Sequence, residues 1–234
     1  MNRAERAIFQ RLHPFMLQHG FARYAQDEAM WRKSTPWGGL DFDVGAKGNG
    51  IYWLYPKVSV RFHQIEEIID ADDDLHDEEQ LMATLLTNLS DKPFRRWRSL
   101  LPPRRMHYRF TVLDGHFERD IQRALAGLQE IFLTDALPYY QRFSDLAEVE
   151  WVLNRAKDEE RQRYVHAGRE LAGLTAAWLL GRPDFEQLLA RYRTPKGQQA
   201  ASFDLATWQA RIDKLVARLR SVPRGQGPAV REQA

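Results

Sequence analysis

The sequence predicts an α+β protein: a four- to five-stranded antiparallel sheet packed by helices on one face, with a C-terminal helical lobe. Three observations lead there. Apolar side chains recur at helical spacing over residues 3–19. Between residues 21 and 62 the period falls to two and turn residues punctuate the chain. From residue 116 onward the helical spacing returns and persists almost to the end. Strands clustered in one part of a chain and helices in another point to a segregated α+β architecture rather than alternating βαβ units.

Each element has a local cause. Ala4, Ile8, Leu12, Phe15 and Met16 share one face of the first helix, Gly20 suits its C-terminal cap, and Pro14 marks a kink or a restart. Phe21–Ala25 and Ala29–Lys33 flank Asp27-Glu28 as a hairpin. Leu40, Phe42 and Val44 alternate with Asp41 and Asp43, and Lys47-Gly48-Asn49-Gly50 supplies a turn with a preference for positive φ. Ile51–Phe62 is the strongest strand, with Val58, Val60 and Phe62 alternating against polar neighbours and Pro56 marking a bulge or an edge. Trp31 and Trp53 are assigned to the core. Trp37, beside Pro36 and Gly38-Gly39, is assigned to an exposed turn.

Gln64–Asp70 reads as a short turn. The stripe Leu81, Leu85, Leu86 and Leu89 then reads as a helix over 77–89. Pro93, Pro102 and Pro103 make 91–105 irregular, and Met106–Leu113 is a fifth strand closed by Asp114-Gly115. Helices follow at 116–133, at 144–153 with Ser144 or Asp145 as cap, at 161–180, at 184–192 and at 202–220. The domain reading is therefore 1–143 for the sheet domain, 144–220 for the helical lobe and 221–234 for a flexible tail.

Composition removes several classes. The 234 residues include no cysteine, so disulfide scaffolds, thiolate metal sites and cysteine nucleophiles are out, and a reducing cytoplasm is the expected compartment. No stretch approaches the roughly 20 apolar residues a spanning helix needs. The Gly-rich run 45–50 lacks the Lys-Ser/Thr that a phosphate loop requires, and Ile51-Tyr52 follow instead. Asp70, Asp72 and Asp74 imitate the start of a calcium loop, but Leu75 and Leu81 stand where Gly and Glu belong. Asp41 and Asp43 share one strand face: they are an acid–base or Mg²⁺ pair, or the polar half of an amphipathic strand. The seven His show no ligand spacing, and no Gly-x-Ser-x-Gly elbow occurs. The expectation is a non-enzymatic protein without cofactor or metal.

Charge is segregated within a nearly neutral total. Glu66 to Glu79 holds nine acids and no Lys or Arg, whereas Lys92 to Arg109 holds seven Lys/Arg and no acid. Unbalanced carboxylates raise the encounter rate with a cationic partner. The residues expected to bind a protein partner are Asp72, Asp73, Asp74, Asp77 and Glu78, with Trp37 as an apolar anchor. The alternative is RNA or DNA binding through Arg95, Arg96, Trp97, Arg98, Arg104 and Arg105, where arginine and aromatic side chains interleave.

Leu12-His13-Pro14-Phe15-Met16, Gly20-Phe21, Trp31-Arg32-Lys33, Tyr55-Pro56-Lys57-Val58-Ser59-Val60-Arg61 and Ala136-Leu137-Pro138 together resemble a family of uncharacterised bacterial α+β domains, similar to immunity proteins of polymorphic toxins. The resemblance covers residues 5 to about 155. It implies a cytosolic protein that neutralises a cognate toxin by occluding its active site, and it carries no catalytic residue.

Overall fold

The computed structural model describes residues 2–24, 29–70, 83–89, 110–165, 171–194 and 204–226. It is a mixed α+β protein whose chain divides into two compact units. Residues 1–60 and 86–142 form a sheet unit, and residues 61–85 and 143–234 form a helical unit.

The first helix, α1 (Arg3–Gln18), starts at a complete capping box. The Asn2 side chain accepts from the Glu5 amide, and the Glu5 carboxylate accepts from the Asn2 amide. Pro14 lies inside this helix without breaking it, and Gly20 follows the C-terminus at φ +80°. Strands β1 (Ala22–Arg23), β2 (Met30–Thr35), β3 (Gly38–Lys47), β4 (Ile51–Phe62), β5 (Leu85–Asn88) and β6 (Thr111–Leu113) make one antiparallel sheet in the order β1-β2-β3-β4-β5, with β6 also on β4. The β3–β4 turn takes its positive φ at Gly48 and Gly50, not at Asn49. A Cβ on Gly48 would collide with the Ile51 carbonyl.

Pro56 sits in a strand with partners on both sides, contrary to an edge assignment. β4 changes partner here: Trp53 is the last residue paired to β6, and the Pro56 carbonyl accepts from the Leu89 amide at 2.8 Å. The missing N–H falls where β4 passes from β6 to β5.

Two other sequence expectations change in this region. Gln64–Asp70 is not a turn; with His63 it forms α2 (His63–Asp70). Residues 85–88 are a strand rather than part of a helix over 77–89, because Leu85, Thr87 and Leu89 are all buried at a period of two. The remainder of that helix assignment, residues 77–82, lies outside the described residues, as do Asp27-Glu28 and the irregular stretch 91–105.

After a 3₁₀ turn at Asp114–His116, α3 (Phe117–Ile131) runs into a π turn at Phe132–Ala136 and then α4 (Leu137–Phe143). The wide turn has a cause in the sequence. Pro138 has no N–H for the Thr134 carbonyl, and the Leu137 amide reaches back five residues to Phe132. The helices and the sheet bury their core around Phe132, whose ring meets Phe15, Phe21 and Phe42 edge-on at 5.3–5.5 Å. Trp31 is wholly buried and donates through its indole N–H to His13 Nδ1 on α1 at 3.1 Å.

The helical unit holds α2 together with α5 (Leu146–Asn154), α6 (Asp158–Tyr164), α7 (Ala172–Leu179), α8 (Phe185–Arg193) and α9 (Leu205–Ser221). Asp145 caps α5 and Asp204 caps α9. The single helix expected over 161–180 is two, since α6 ends on extended Val165. Leu174, Phe185, Leu188, Trp208, Ile212 and Leu219 lead its core. Residues 222–226 fold back on this unit: Trp178 donates to the Val222 carbonyl at 3.0 Å, and Arg224 donates to the Arg182 carbonyl. The rest of the expected tail, 227–234, lies outside the described residues.

One polar network is buried in the helical unit. Asn154 donates to Glu150 and to the Gly173 carbonyl and accepts from Tyr192, while Arg182 bridges Glu150 and Asp184. The hydrogen bonds to Asp184 raise the Arg182 pKa most, against burial, with Glu150 adding to the rise. A Cβ on Gly173 would fall onto the Tyr192 hydroxyl and Asn154 Oδ1. Gly173→Ala is therefore expected to destabilise the protein by about 2 kcal/mol, through overpacking and broken hydrogen bonds. Chemical denaturation reads this as a lower midpoint.

Candidate functional site

The sheet unit presents one sheet face to α1, α3 and α4, and the opposite, outer face carries the odd-numbered residues of β3 and β4. Alternation places them there: Tyr52, Leu54, Val58 and Val60 are buried, whereas Ile51 and Trp53 are 44% and 43% exposed. Tyr55 and Lys57 are half-buried on this side, and Tyr24 is exposed beside β2.

The outer face is built around a buried carboxylate. Asp41, 4% exposed, stands opposite Arg32 in the β2–β3 register. Arg32 Nε donates to Asp41 Oδ1 at 2.5 Å and Nη2 donates to Oδ2 at 2.7 Å, a bidentate pair that Ser59 joins at 3.3 Å. Tyr24 covers the guanidinium, with Arg32 Cζ 3.4 Å from its ring centroid. Gly39 leaves the room for this flat course: a Cβ there would stand 3.1 Å from Arg32 Nε. Burial alone would lower the Arg32 pKa, but the Asp41 hydrogen bonds and charge outweigh it and hold the group above its ordinary value. On the inner side the Asp41 carbonyl accepts from the Tyr140 hydroxyl at 2.6 Å, and burial pushes the Tyr140 pKa well up.

Two residues further along β3, Asp43 meets Lys57 of β4 at 3.8 Å, with both side chains partly exposed. Lys47 Nζ stands 6.0 Å from the Tyr55 ring centroid. The outer face thus combines Ile51, Trp53 and Tyr55 with three cations and two carboxylates.

Of the residues singled out in the sequence, Asp72, Asp73, Asp74, Asp77 and Glu78 lie outside the described residues. So do Arg95, Arg96, Trp97, Arg98, Arg104 and Arg105. Trp37 occupies the β2–β3 turn as expected but is half-buried. Trp53, assigned to the core, is the exposed tryptophan of this face. Asp41 and Asp43 do share a face, yet Asp41 is buried and both its oxygens are engaged. Glu66, the first acid of the acidic run, is also interior and accepts from Thr84 Oγ1 at 2.5 Å. Among the described residues no cluster of His, Asp and Glu suits a metal ion, and no helix is long and apolar enough to cross a membrane.

The outer face escaped the sequence reading because only the Val58–Phe62 half of β4 shows clean alternation. The other half, Ile51-Tyr52-Trp53-Leu54-Tyr55, is apolar on both sides, and that was the available signal.

Two outcomes follow for the Asp41 cluster. Asp41→Asn leaves Arg32 buried without its counter-charge and is expected to cost about 3 kcal/mol, whereas Asp43→Asn stays within about 0.5 kcal/mol; denaturant midpoints compare them. Tyr140, whose pKa is raised in the native state, contributes stability that is complete below the ordinary tyrosine pKa and is lost as pH rises above it. Tyrosinate absorbance should show Tyr140 ionising only on unfolding, and Tyr140→Phe should flatten the alkaline loss of stability. Compared with family models, curated proteins and solved structures, the chain matches none of them.

Proposed function

We propose that this chain is a non-enzymatic cytoplasmic binding protein that covers a protein partner, as an immunity protein occludes its toxin, and that the outer sheet face is its docking surface. The exposure of Trp53, flanked by Ile51 and Tyr55 on a strand in mid-sheet, carries the reading. A rigid aromatic anchor beside an aliphatic one is the composition of an interface hot spot. The absence of cysteine supports a reducing compartment.

The charges of this face favour protein over nucleic acid. Arg32 and Lys57, two of the three cations named on it, are matched by Asp41 and Asp43. Phosphate recognition gains from cations that release counterions, and cations already neutralised give little of that gain. Asp72, Asp73, Asp74, Asp77 and Glu78 enter this reading as a steering charge for a basic partner, and Trp37 as a secondary contact.

The test starts from the full chain as bait in lysate of its host, followed by purification of the captured protein and titration of the reconstituted pair. Trp53→Ala is expected to weaken that complex by at least about tenfold. Reversing the five acids should slow association and weaken its salt dependence, and Arg95→Ala with Arg98→Ala should leave affinity unchanged. Co-expression should relieve the toxicity of the partner. Capture of RNA or DNA with affinity falling steeply in salt, and insensitivity to Trp53→Ala, would overturn the reading.

A further inference from the structure

We propose that Asn49-Gly50, in the β3–β4 turn, is a site of spontaneous deamidation, at which the chain gains a carboxylate and, in the isoaspartyl product, one extra backbone atom beside Trp53. The reaction needs only water, so the site stands whether or not the outer face docks a protein.

The chemistry is an intramolecular acyl transfer. The Gly50 backbone nitrogen attacks the Asn49 side-chain carbonyl carbon, a bond forms between that nitrogen and Cγ, and the Cγ–Nδ2 bond breaks. Nδ2 leaves as ammonia, taking up the proton that the Gly50 nitrogen gives up. Water then opens the resulting five-membered succinimide at either carbonyl. Cleavage at Cγ leaves aspartate. Cleavage at the main-chain carbonyl leaves isoaspartate, with the chain now running through the side chain. One water is consumed, one ammonia is released and nothing is oxidised.

The step needs an accessible amide, a backbone nitrogen free to approach it, and no side chain in the way. The chain has four asparagines, and Asn49 alone precedes a glycine. Asn49 is exposed, and among the described residues neither its side chain nor the Gly50 N–H has a hydrogen-bond partner. Gly50 has no Cβ to crowd its nitrogen, whereas Arg3, Leu89 and Arg155 follow the other three. Two of those three are also held in place. Asn2 accepts from the Glu5 amide and donates to the Ala46 carbonyl, and Asn154 is buried against Glu150, Gly173 and Tyr192.

The surroundings of the turn give the product its effect. On one side the Gly50 carbonyl accepts from the Asp114 amide at 2.9 Å. On the other, Gly48 sits at φ +116° against the Ile51 carbonyl, and a Cβ on it would stand 3.2 Å from Trp53 Cε3. A turn closed at both ends has no slack for a longer backbone. The isoaspartyl chain must therefore shift Gly48 against the Trp53 ring or give up the Asp114 bond. The aspartyl product keeps the backbone and adds only a charge next to Gly48.

The experiment follows the full chain in mildly alkaline buffer by peptide mapping and mass, with a synthetic peptide of residues 45–53 as the unhindered reference. The segment carrying Asn49 is expected to gain about 1 Da and to become a substrate for isoaspartyl methyltransferase. Its rate should lie within about tenfold of the peptide and at least about tenfold above Asn2, Asn88 or Asn154. Asn49→Gln, which would need a six-membered ring, should abolish both signals. Asp114-Gly115 can isomerise only without a change of mass, and mapping separates it. The Trp53 indole N–H signal, assigned through Trp53→Phe, should move further in the purified isoaspartyl chain than in Asn49→Asp. An Asn49 that stays intact in the folded chain while the peptide converts, or that converts no faster than the other asparagines, would overturn the site. Equal Trp53 signals in the isoaspartyl chain and in Asn49→Asp would overturn the backbone effect.

Discussion

A buried carboxylate on the wrong side of the sheet organises this molecule. Asp41 points away from the helices, yet it is nearly as inaccessible as the core. A charge in that position must be matched within hydrogen-bonding distance, and the matching group is Arg32 directly across the β2–β3 ladder. A slip of one residue would turn Arg32 to the inner face and Trp31 to the outer, so the ion pair and the core tryptophan specify the same register. The backbone of the same residue binds Tyr140, which ties α4 to the middle of β3. Tyr140 reaches that carbonyl on a helix offset by the π turn. Pro138, by withdrawing one donor, therefore helps set where the helices meet the sheet.

What the sequence made legible follows the strength of local periodicity. Helix α1 could be read because its apolar spacing, its cap residue and Gly20 agree with one another. The bounds of β4 could be read because a glycine turn precedes it and alternation ends it. The failures share a physical form. Leu85, Leu86 and Leu89 satisfy both a helical stripe and a strand, and the strand prevails because Leu85, Thr87 and Leu89 are all buried. The helix expected over 116–133 runs on through a π turn into α4, because a helix can absorb Pro138 by widening one turn. Neither decision is visible in a short window, since each depends on what lies opposite.

The candidate site was legible in even smaller part, and charge explains why. A run of like charges stands out in a sequence, while Arg32 and Asp41 are nine residues apart and become a pair only through strand register. Sequence reading therefore finds clusters that are contiguous and misses those assembled by pairing. It also treats every acid in a run alike, although Glu66 is buried against Thr84 and Glu67 is exposed. Trp53 was assigned to the core because tryptophan usually belongs there, and no local signal says which face of a doubly apolar strand meets the helices.

A sheet face proposed to dock a partner has also to limit its own apolar reach. Ile51, Trp53 and Tyr55 sit in a row along one strand, and such a row invites pairing with any other apolar surface. Here Lys47, Lys57 and Asp43 border it, and the Arg32–Asp41 pair occupies the ground beyond. Fixed charges of both signs make indiscriminate apolar contact costly, because each must keep its water or find its match. A partner that supplies the match meets no such penalty. Under the proposed docking reading, the aromatic row would provide the attraction and the flanking ion pairs would decide which partner receives it, so selectivity would depend on charge geometry rather than on buried area.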